Sequence, residues 1–362
     1  MRVIISGGGT GGHIFPAIAI ANALRKIQPT CDILFVGADG RMEMEKVPQA
    51  GYPIEGLWIS GLQRRLTTQN LLFPVKVVAS LWKSFQIIRR FKPDVAVGVG
   101  GYASGPLLQA ATFMGIPALI QEQNSHPGMT NRLLAKRVQK ICVVFDNLAN
   151  HFPPEKIILT GNPVRQNIVD LQGTRTEAIT YFGLDPNKKT LFVTGGSLGA
   201  RGINNGILAQ MDKLKNNNVQ VLWQTGKLYE TDIRAKINGY ESHIFPRAFV
   251  DRMDLAYIAA DAIVSRAGGT IAELCLVGKP AILMPSPNVT DDHQTANAMN
   301  LVQKNAAIMV RDHEADSQLW TAIEQVLFDE QQRKILSDNI KKLAIADAAD
   351  RIAHEVIALV KK

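Results

Sequence analysis

The sequence predicts an α/β fold made of two doubly wound domains, on three observations. Short, continuous, β-branched apolar runs alternate with helical stretches along the whole chain. The alternation breaks at Gly161-Asn162-Pro163 and then resumes, so the second half repeats the plan of the first. Four glycine-rich segments follow apolar runs, two in each half, where a doubly wound sheet receives ligands. Two such domains facing each other across a cleft imply one ligand gripped from both sides.

Strands are expected at 3–6, 32–37, 95–100, 117–121, 141–145 and 156–161. Their apolar residues are continuous rather than alternating, as in parallel strands covered on both faces. Between the first two, Ile18, Ala21 and Leu24 recur at helical spacing over Pro16 to Ile27. The second series of strands is expected at 191–196, 219–226, 261–269, 280–287 and 306–312. The last helix reads from the spacing of apolar residues over 348–360. The expected domains are 1–163 and 164–345.

The 362 residues are 46% hydrophobic and 20% charged, a composition with a real core and room for two domains. Met1-Arg2 leads straight into a strand with no small-residue cleavage site, so no signal peptide is expected. No apolar run reaches the roughly 18 residues of a membrane span. Cys31, Cys142 and Cys275 are isolated in or beside apolar stretches, as buried reduced thiols and not as a zinc or disulfide framework.

The net charge of +8 is unevenly spread. Residues 1–165 carry 18 Lys/Arg against 9 Asp/Glu, while residues 166–362 carry 22 against 23. Gly56 to Pro93 has no acidic residue but has Arg64, Arg65, Lys76, Lys83, Arg89, Arg90 and Lys92. Such a half expects an anionic partner. Nucleic acid is not it, because aromatic residues are only 6% and no recognition motif is present.

The first loop, GGGTGGH (Gly7 to His13), satisfies G-x-G-x-x-G through Gly7, Gly9 and Gly12. A dinucleotide site also needs a carboxylate ending the second strand, and Asp39, past two small residues, is a poor match. Glycine lets backbone approach a ligand, and helix-start N–H groups attract anions. His13 ends the loop at the expected helix start, where the dipole keeps an imidazole neutral; it either works there or merely packs. In Gln121-Glu122-Gln123-Asn124 a carboxylate sits at the mouth of the sheet, as a general base or as part of a solvated turn. Gln294 and Asn297, three apart, share a helix face, and amides suit sugar hydroxyls. No metal-ligand spacing appears, Asp291-Asp292 being a weak pair, and no cofactor is expected.

Seven motifs in this order and spacing, GGGTGGH, GVGGYASGP, QEQN, GNPVR, GGSLGARGIN, SRAGGTIAEL and DDHQTANA, make the whole chain resemble the MurG family of bacterial glycosyltransferases. The resemblance implies a GT-B fold of two Rossmann-like domains, with a C-terminal helix, about 346–362, crossing back onto the first. It implies inverting transfer of GlcNAc from UDP-GlcNAc to undecaprenyl-pyrophosphoryl-MurNAc-pentapeptide (lipid I), giving lipid II for peptidoglycan, without a metal. By position, Ser197 meets the donor diphosphate with Arg165 and Arg266 as charge partners, and Glu273 takes the ribose hydroxyls. Gly269 and Thr270 open the helix carrying Glu273, Val250 lines the uracil pocket through its backbone, and Gln294 and Asn297 meet the GlcNAc. Thr10, Gly11, Gly12, His13, Tyr102, Glu122 and Asn124 fall on the acceptor side, the first loop near the lipid pyrophosphate. The base is one of His13 and Glu122. The family pattern S-R-A-G-A-x-T-x-x-E has eight steps from arginine to glutamate; here Arg266 to Glu273 is seven.

A lipid acceptor requires a membrane surface. The stretch 70–92 mixes Leu71, Leu72, Phe73, Val77, Leu81, Trp82 and Phe85 with Lys and Arg, as in a helix lying on anionic lipid, unless that apolar face packs on the sheet. The resemblance places the protein peripherally on the cytoplasmic face of the plasma (inner) membrane, with partners among cell-wall synthesis and division proteins. A cytosolic sugar-nucleotide epimerase shares the two-domain plan but has no use for a basic apolar surface.

Overall fold

The computed structural model describes residues 1–61, 72–289 and 292–360. Arg64, Arg65, Leu71 and Asp291, all singled out above, lie outside the described residues. The chain divides into two compact units, Met1–Arg165 with Asp347–Lys362, and Gln166–Ala346.

The first unit holds a parallel sheet of β1 (Arg2–Gly7), β2 (Asp32–Ala38), β3 (Ile54–Leu57), β4 (Val95–Gly100), β5 (Ala118–Glu122), β6 (Lys140–Val143) and β7 (Ile157–Leu159). Their order is β3-β2-β1-β4-β5-β6-β7. Both faces are covered, which is why the strands read as unbroken apolar runs. Val3, Ile5, Ile33 and Phe35 pack with Ile20 and Leu24 of α1 (Gly11–Ile27). The intervening Ile4, Leu34 and Val36 face the other way. They meet Ile87 and Ile88 of α3 (Phe73–Phe91), Leu107 of α4 (Ser104–Phe113) and Leu134 of α5 (Met129–Leu134). The short α2 (Glu43–Gln49) follows β2. The C-terminal helix Ala348–Val360 lays Ile352, Ala353 and Val356 against α1, and Glu355 pairs with Lys140.

α3 divides its apolar residues between two faces. Phe73, Val77 and Phe85 of the expected lipid-facing stripe pack toward the sheet with Ile87 and Ile88, and the helix also buries Ser80 and Ser84 while it exposes Val75 (54%), Val78 (66%) and Trp82 (66%). The serine hydroxyls are satisfied locally: Ser80 donates to the Trp58 carbonyl and Ser84 to the Ser80 carbonyl. Among the described residues no helix is long and apolar enough to cross a membrane.

The second unit repeats the plan with β8 (Lys189–Thr194), β9 (Val219–Gln224), β10 (Ile244–Arg247), β11 (Ala262–Ser265), β12 (Ala281–Leu283) and β13 (Ile308–Met309), in the order β10-β9-β8-β11-β12-β13. The helices that matter below are α6 (Arg201–Ala209), α7 (Met253–Ala259), α8 (Thr270–Val277) and α9 (His293–Val302). In each sheet the strand order reverses beside the first strand, between β1 and β4 and between β8 and β11. These are the topological switch points where such folds take ligands. The four glycine segments follow β1, β4, β8 and β11.

Candidate active site

In the first unit the two glycine loops interlock. The β1–β4 register slips between Ser6 and Gly7, bringing Gly7 opposite Gly100. Gly8 N–H donates to the Gly100 carbonyl at 3.3 Å. Gly101 has φ +92°, and a Cβ there would sit 2.4 Å from the Gly8 carbonyl oxygen, so only glycine lets the chains approach this closely. Ser104 Oγ donates to the carbonyls of Ser6 and Gly100, pinning the start of α4 to both strands.

The other side of the first loop rests on a carboxylate that the sequence motifs do not reveal. Glu43, on α2, is 1% exposed. Its Oε2 accepts the Gly9 N–H at 2.9 Å and its Oε1 accepts the Ala38 N–H at 3.0 Å. A Cβ on Gly8 would lie 2.2 Å from that carboxylate. The Gly9 N–H is therefore engaged within the protein and is not offered to a ligand phosphate of any kind. The first turn of α1, from Gly11, still presents its helix-start N–H groups.

His13 is half-buried on that first turn. Its Nδ1 lies 3.1 Å from the Gly8 carbonyl oxygen and 3.4 Å from Thr10 Oγ1. A carbonyl only accepts, so the closer contact assigns a proton to Nδ1, and in the neutral form of the ring the lone pair is then on Nε2. The ring lies against Gly100, where a Cβ would be 2.8 Å from Nε2. Thr10 and Gly12 are exposed and Gly11 is half-buried. Tyr102, 49% exposed, lays its ring over Gly61. The Arg165 guanidinium stands 5.5 Å from the centre of the Phe15 ring on α1.

Glu122 ends β5 and is 3% exposed. Oε1 accepts the N–H groups of Gln123 and Asn124, at 2.9 and 3.0 Å, and the Asn124 side-chain amide at 3.3 Å. Oε2 accepts the Gly128 N–H at 3.1 Å and Asn131 Nδ2 at 2.9 Å. The carboxylate is therefore neither solvated nor in a turn. It is the hub that folds 123–128 over the end of the strand.

In the second unit, Ser197 sits half-buried in the turn between β8 and α6, flanked by Gly196 (φ +84°) and Gly199 (φ +75°). A Cβ on Gly199 would fall 2.0 Å from the Thr225 carbonyl oxygen, so this loop interlocks with the one after β9. Gln224 Nε2 donates to the Gly196 carbonyl at 2.9 Å, and its Oε1 accepts the Val250 N–H at 2.8 Å. Val250 is buried, and its N–H is committed to Gln224.

Gly269 caps α8, Thr270 opens it, and Glu273 lies in its first turn. The loop one residue shorter than the family pattern still delivers a regular helix start. Glu273 Oε2 accepts the Tyr257 hydroxyl of α7 at 2.7 Å, and Tyr257 is fully buried. Arg266 is held by partners within the protein. Nη2 donates to Asp312 Oδ2 at 3.0 Å, and Nη1 to Asp312 Oδ1 and to the carbonyls of Met284 and Pro285. Gln294 accepts the Ser286 N–H through Oε1 at 2.8 Å. Asn297, 1% exposed, donates to the Ala267 carbonyl at 3.0 Å and so steadies the loop after β11. Among the described residues no group of three or more His, Cys, Asp or Glu could hold a metal ion.

Two family models match, the glycosyltransferase family 28 N-terminal domain over residues 3–143 and its C-terminal domain over residues 190–352. The chain belongs to glycosyltransferase family 28. It is 53% identical over 361 residues to the UDP-N-acetylglucosamine–N-acetylmuramyl-(pentapeptide) pyrophosphoryl-undecaprenol N-acetylglucosamine transferase of Flavobacterium psychrophilum, covering 99% of this chain and 98% of that protein. The protein of the same name from Cytophaga hutchinsonii is also 53% identical, over 99% of this chain and 97% of its own. Among solved structures, MurG of Acinetobacter baumannii superposes with a TM-score of 0.76 at 26% identity, covering 99% of both chains. A UDP-GlcNAc 2-epimerase from Neisseria meningitidis reaches a TM-score of 0.69 at 17% identity, over 99% of this chain and 100% of that one, a likeness of fold alone.

The two Rossmann-like domains are thus those of a GT-B glycosyltransferase, as the motifs imply. Around the family 28 motifs the structure adds Glu43, Gln224, Tyr257 and Asp312, each joining one loop to another. Only Gln224 had a visible signal, a polar residue ending an apolar strand just before Thr225-Gly226.

Proposed function

We propose that this chain transfers N-acetylglucosamine from UDP-GlcNAc to the C4 hydroxyl of MurNAc in undecaprenyl-pyrophosphoryl-MurNAc-pentapeptide, with inversion, to give lipid II for peptidoglycan. The observation that carries this is similarity above 50% identity, over essentially the full length, to transferases named for that reaction.

The geometry supplies roles. The C4 hydroxyl loses its proton as it attacks, and His13 is assigned as the base, its Nε2 lone pair set by the Nδ1 contact to Gly8. Glu122 is assigned to hold the Gln123–Gly128 loop, since five donors already surround its two oxygens. The anomeric carbon passes through an oxocarbenium-like state. The charge growing on UDP is met by helix-start N–H groups at α6 and α8, near Ser197 and Thr270. Arg266 braces the loop under them. Glu273, oriented by Tyr257, takes the ribose hydroxyls, and the Val250 carbonyl takes the uracil N–H. Gln294 is assigned to the GlcNAc hydroxyls, with Asn297 holding the loop beside it.

The exposed Val75, Val78 and Trp82, with Lys83 and Arg89 on the same helix, support peripheral binding to the anionic cytoplasmic leaflet, where the acceptor is anchored. The testing experiment is transfer of radiolabelled GlcNAc from UDP-GlcNAc to a short-chain lipid I analogue, with and without EDTA. Transfer surviving EDTA is expected. Binding of UDP-GlcNAc without transfer redirects the reading to another acceptor, and absence of binding overturns it.

A further inference from the structure

We propose that Glu43 is a positioning residue for His13, acting through the single peptide group between Gly8 and Gly9. The two contacts described above share that group. Glu43 Oε2 accepts its N–H from one side, at 2.9 Å. His13 Nδ1 meets its carbonyl oxygen from the other, at 3.1 Å. The order is carboxylate, peptide, imidazole. A negative charge at the N–H end polarises the amide and makes its carbonyl a better acceptor. A better acceptor holds the proton on Nδ1, fixes the ring, and makes Nε2 more basic. This is the task of a carboxylate placed directly against a histidine, carried here across one peptide.

The site is built for this contact. Glu43 is 1% exposed, so its charge is little screened by water. Two glycines make room for it: a Cβ on Gly8 would lie 2.2 Å from Oε1, and one on Gly37 would lie 2.5 Å from Cγ. Oε1 is anchored by the Ala38 N–H at 3.0 Å, which directs Oε2 at Gly9. Three other ionisable groups border the loop, and each has a contact of its own. The Glu122 carboxylate gathers its own loop, Arg165 lies over Phe15, and Tyr102 lies over Gly61. The resemblance to known transferases gives Glu43 no role, and nothing in the glycine motif points to a residue 30 positions downstream.

The inference rests on His13 as the base, and its test separates the coupling from the reaction. The His13 ring would be titrated by NMR in the full chain without substrate, with His13→Gln identifying its signals, in wild type and in Glu43→Gln. The amide keeps the shape, loses the charge, and offers one acceptor where the carboxylate offers two. Glu43→Gln is expected to move the His13 midpoint to lower pH and to mix its two neutral tautomers. In the transfer assay kcat falls about tenfold while KM for UDP-GlcNAc stays within about twofold. The acid limb of the kcat/KM profile moves with the NMR midpoint. An unchanged His13 titration overturns the coupling, even if the rate falls. A wild-type chain that shows the coupled titration but no transfer overturns the proposed function alone. Glu43→Asp keeps the charge but retracts it by one methylene, and is read the same way if Glu43→Gln does not fold; an unmoved midpoint there also overturns the proposal.

Discussion

Asp312 receives both terminal nitrogens of Arg266, and the pair keeps only 20% and 12% side-chain exposure. A cation so placed has its charge answered inside the protein. Gly202, in the first turn of α6, lies directly on Asp312, where a Cβ would fall 2.0 Å from Oδ2. The pair therefore joins the loop after β11, the end of β12 and the start of α6. Asp312→Ala leaves a guanidinium largely buried with carbonyls alone. It is expected to cost about 2–3 kcal/mol, the lower side for a buried pair because some exposure remains. Urea unfolding measures this, and an unchanged midpoint would refute the bracing role.

His13 and Glu122 respond differently if their assignments hold. His13→Ala removes a half-buried ring from the first turn of a helix, and its melting temperature should match wild type. Its kcat should fall about 10²–10⁴-fold, the range for a lost general base. Glu122→Gln places an amide NH2 against N–H donors, leaving at least one of them unsatisfied. About 1–3 kcal/mol of stability is expected to go with it, because a buried donor loses its acceptor. Melting curves beside steady-state rates check both. Equal damage to both properties in both variants would refute the division of labour.

Stability should fall on mild acidification, in two stages. Burial, with His126 and Arg132 adding to it, holds His151 below the ordinary imidazole value. Burial, then Lys188 and Lys215, does the same to His243. In the unfolded chain both take protons near pH 6.5, before the folded chain does. The unfolded state thus binds more protons as pH drops below about 6.5, and stability falls until the folded histidines titrate too. The second stage belongs to Asp254, held below the usual carboxylate value mainly by the hydrogen-bonded Arg252 guanidinium. That stabilisation is present above the unfolded carboxylate value near pH 4 and is lost below it as the folded group protonates. Urea midpoints from pH 7.5 to 3.5 trace both stages, and His151→Gln should flatten part of the first.

The three cysteines are buried and unpaired, as their apolar surroundings suggest. Burial pushes the thiols of Cys142 and Cys275 up to about 12 and raises Cys31. Almost no thiolate exists at pH 8, so a disulfide reagent should react slowly with the folded protein and rapidly with all three thiols in guanidinium. A fast thiol in the native protein would contradict this burial.

The central strands were legible because both faces are covered, which writes β1 and β8 as unbroken apolar runs. The edge strands were not. β3 is Ile54-Glu55-Gly56-Leu57 and β10 contains Pro246, and at a sheet edge neither run must be apolar throughout. The glycine loops announced the switch points, since backbone-to-backbone approach there admits no side chain. What the loops close against was silent. Glu43, Tyr257 and Asp312 lie on other elements, and only the fold brings a first-turn glutamate beneath Gly8. Which apolar residues of α3 turn to the sheet was also unreadable: Phe73, Val77 and Phe85 do, while Val75, Val78 and Trp82 stay exposed.

The exposed apolar residues of that helix lead to the last prediction. The exposed side of this helix carries Val75, Val78 and Trp82, an apolar patch that a lipid surface would cover. Lys83 and Arg89 add a cationic rim on the same helix, whereas Arg90 is paired with Glu55. Binding to vesicles containing anionic lipid should then need both features. Val78→Glu with Trp82→Glu removes the apolar contact and adds repulsion, and should reduce the bound fraction at least tenfold. Both positions are about two-thirds exposed, so the melting temperature should not change. Raised salt should weaken the wild type by screening the cations, and neutral vesicles should bind it less. Sedimentation with vesicles of both compositions reads all of this. If the double variant binds like wild type, the membrane-facing surface lies elsewhere on the chain.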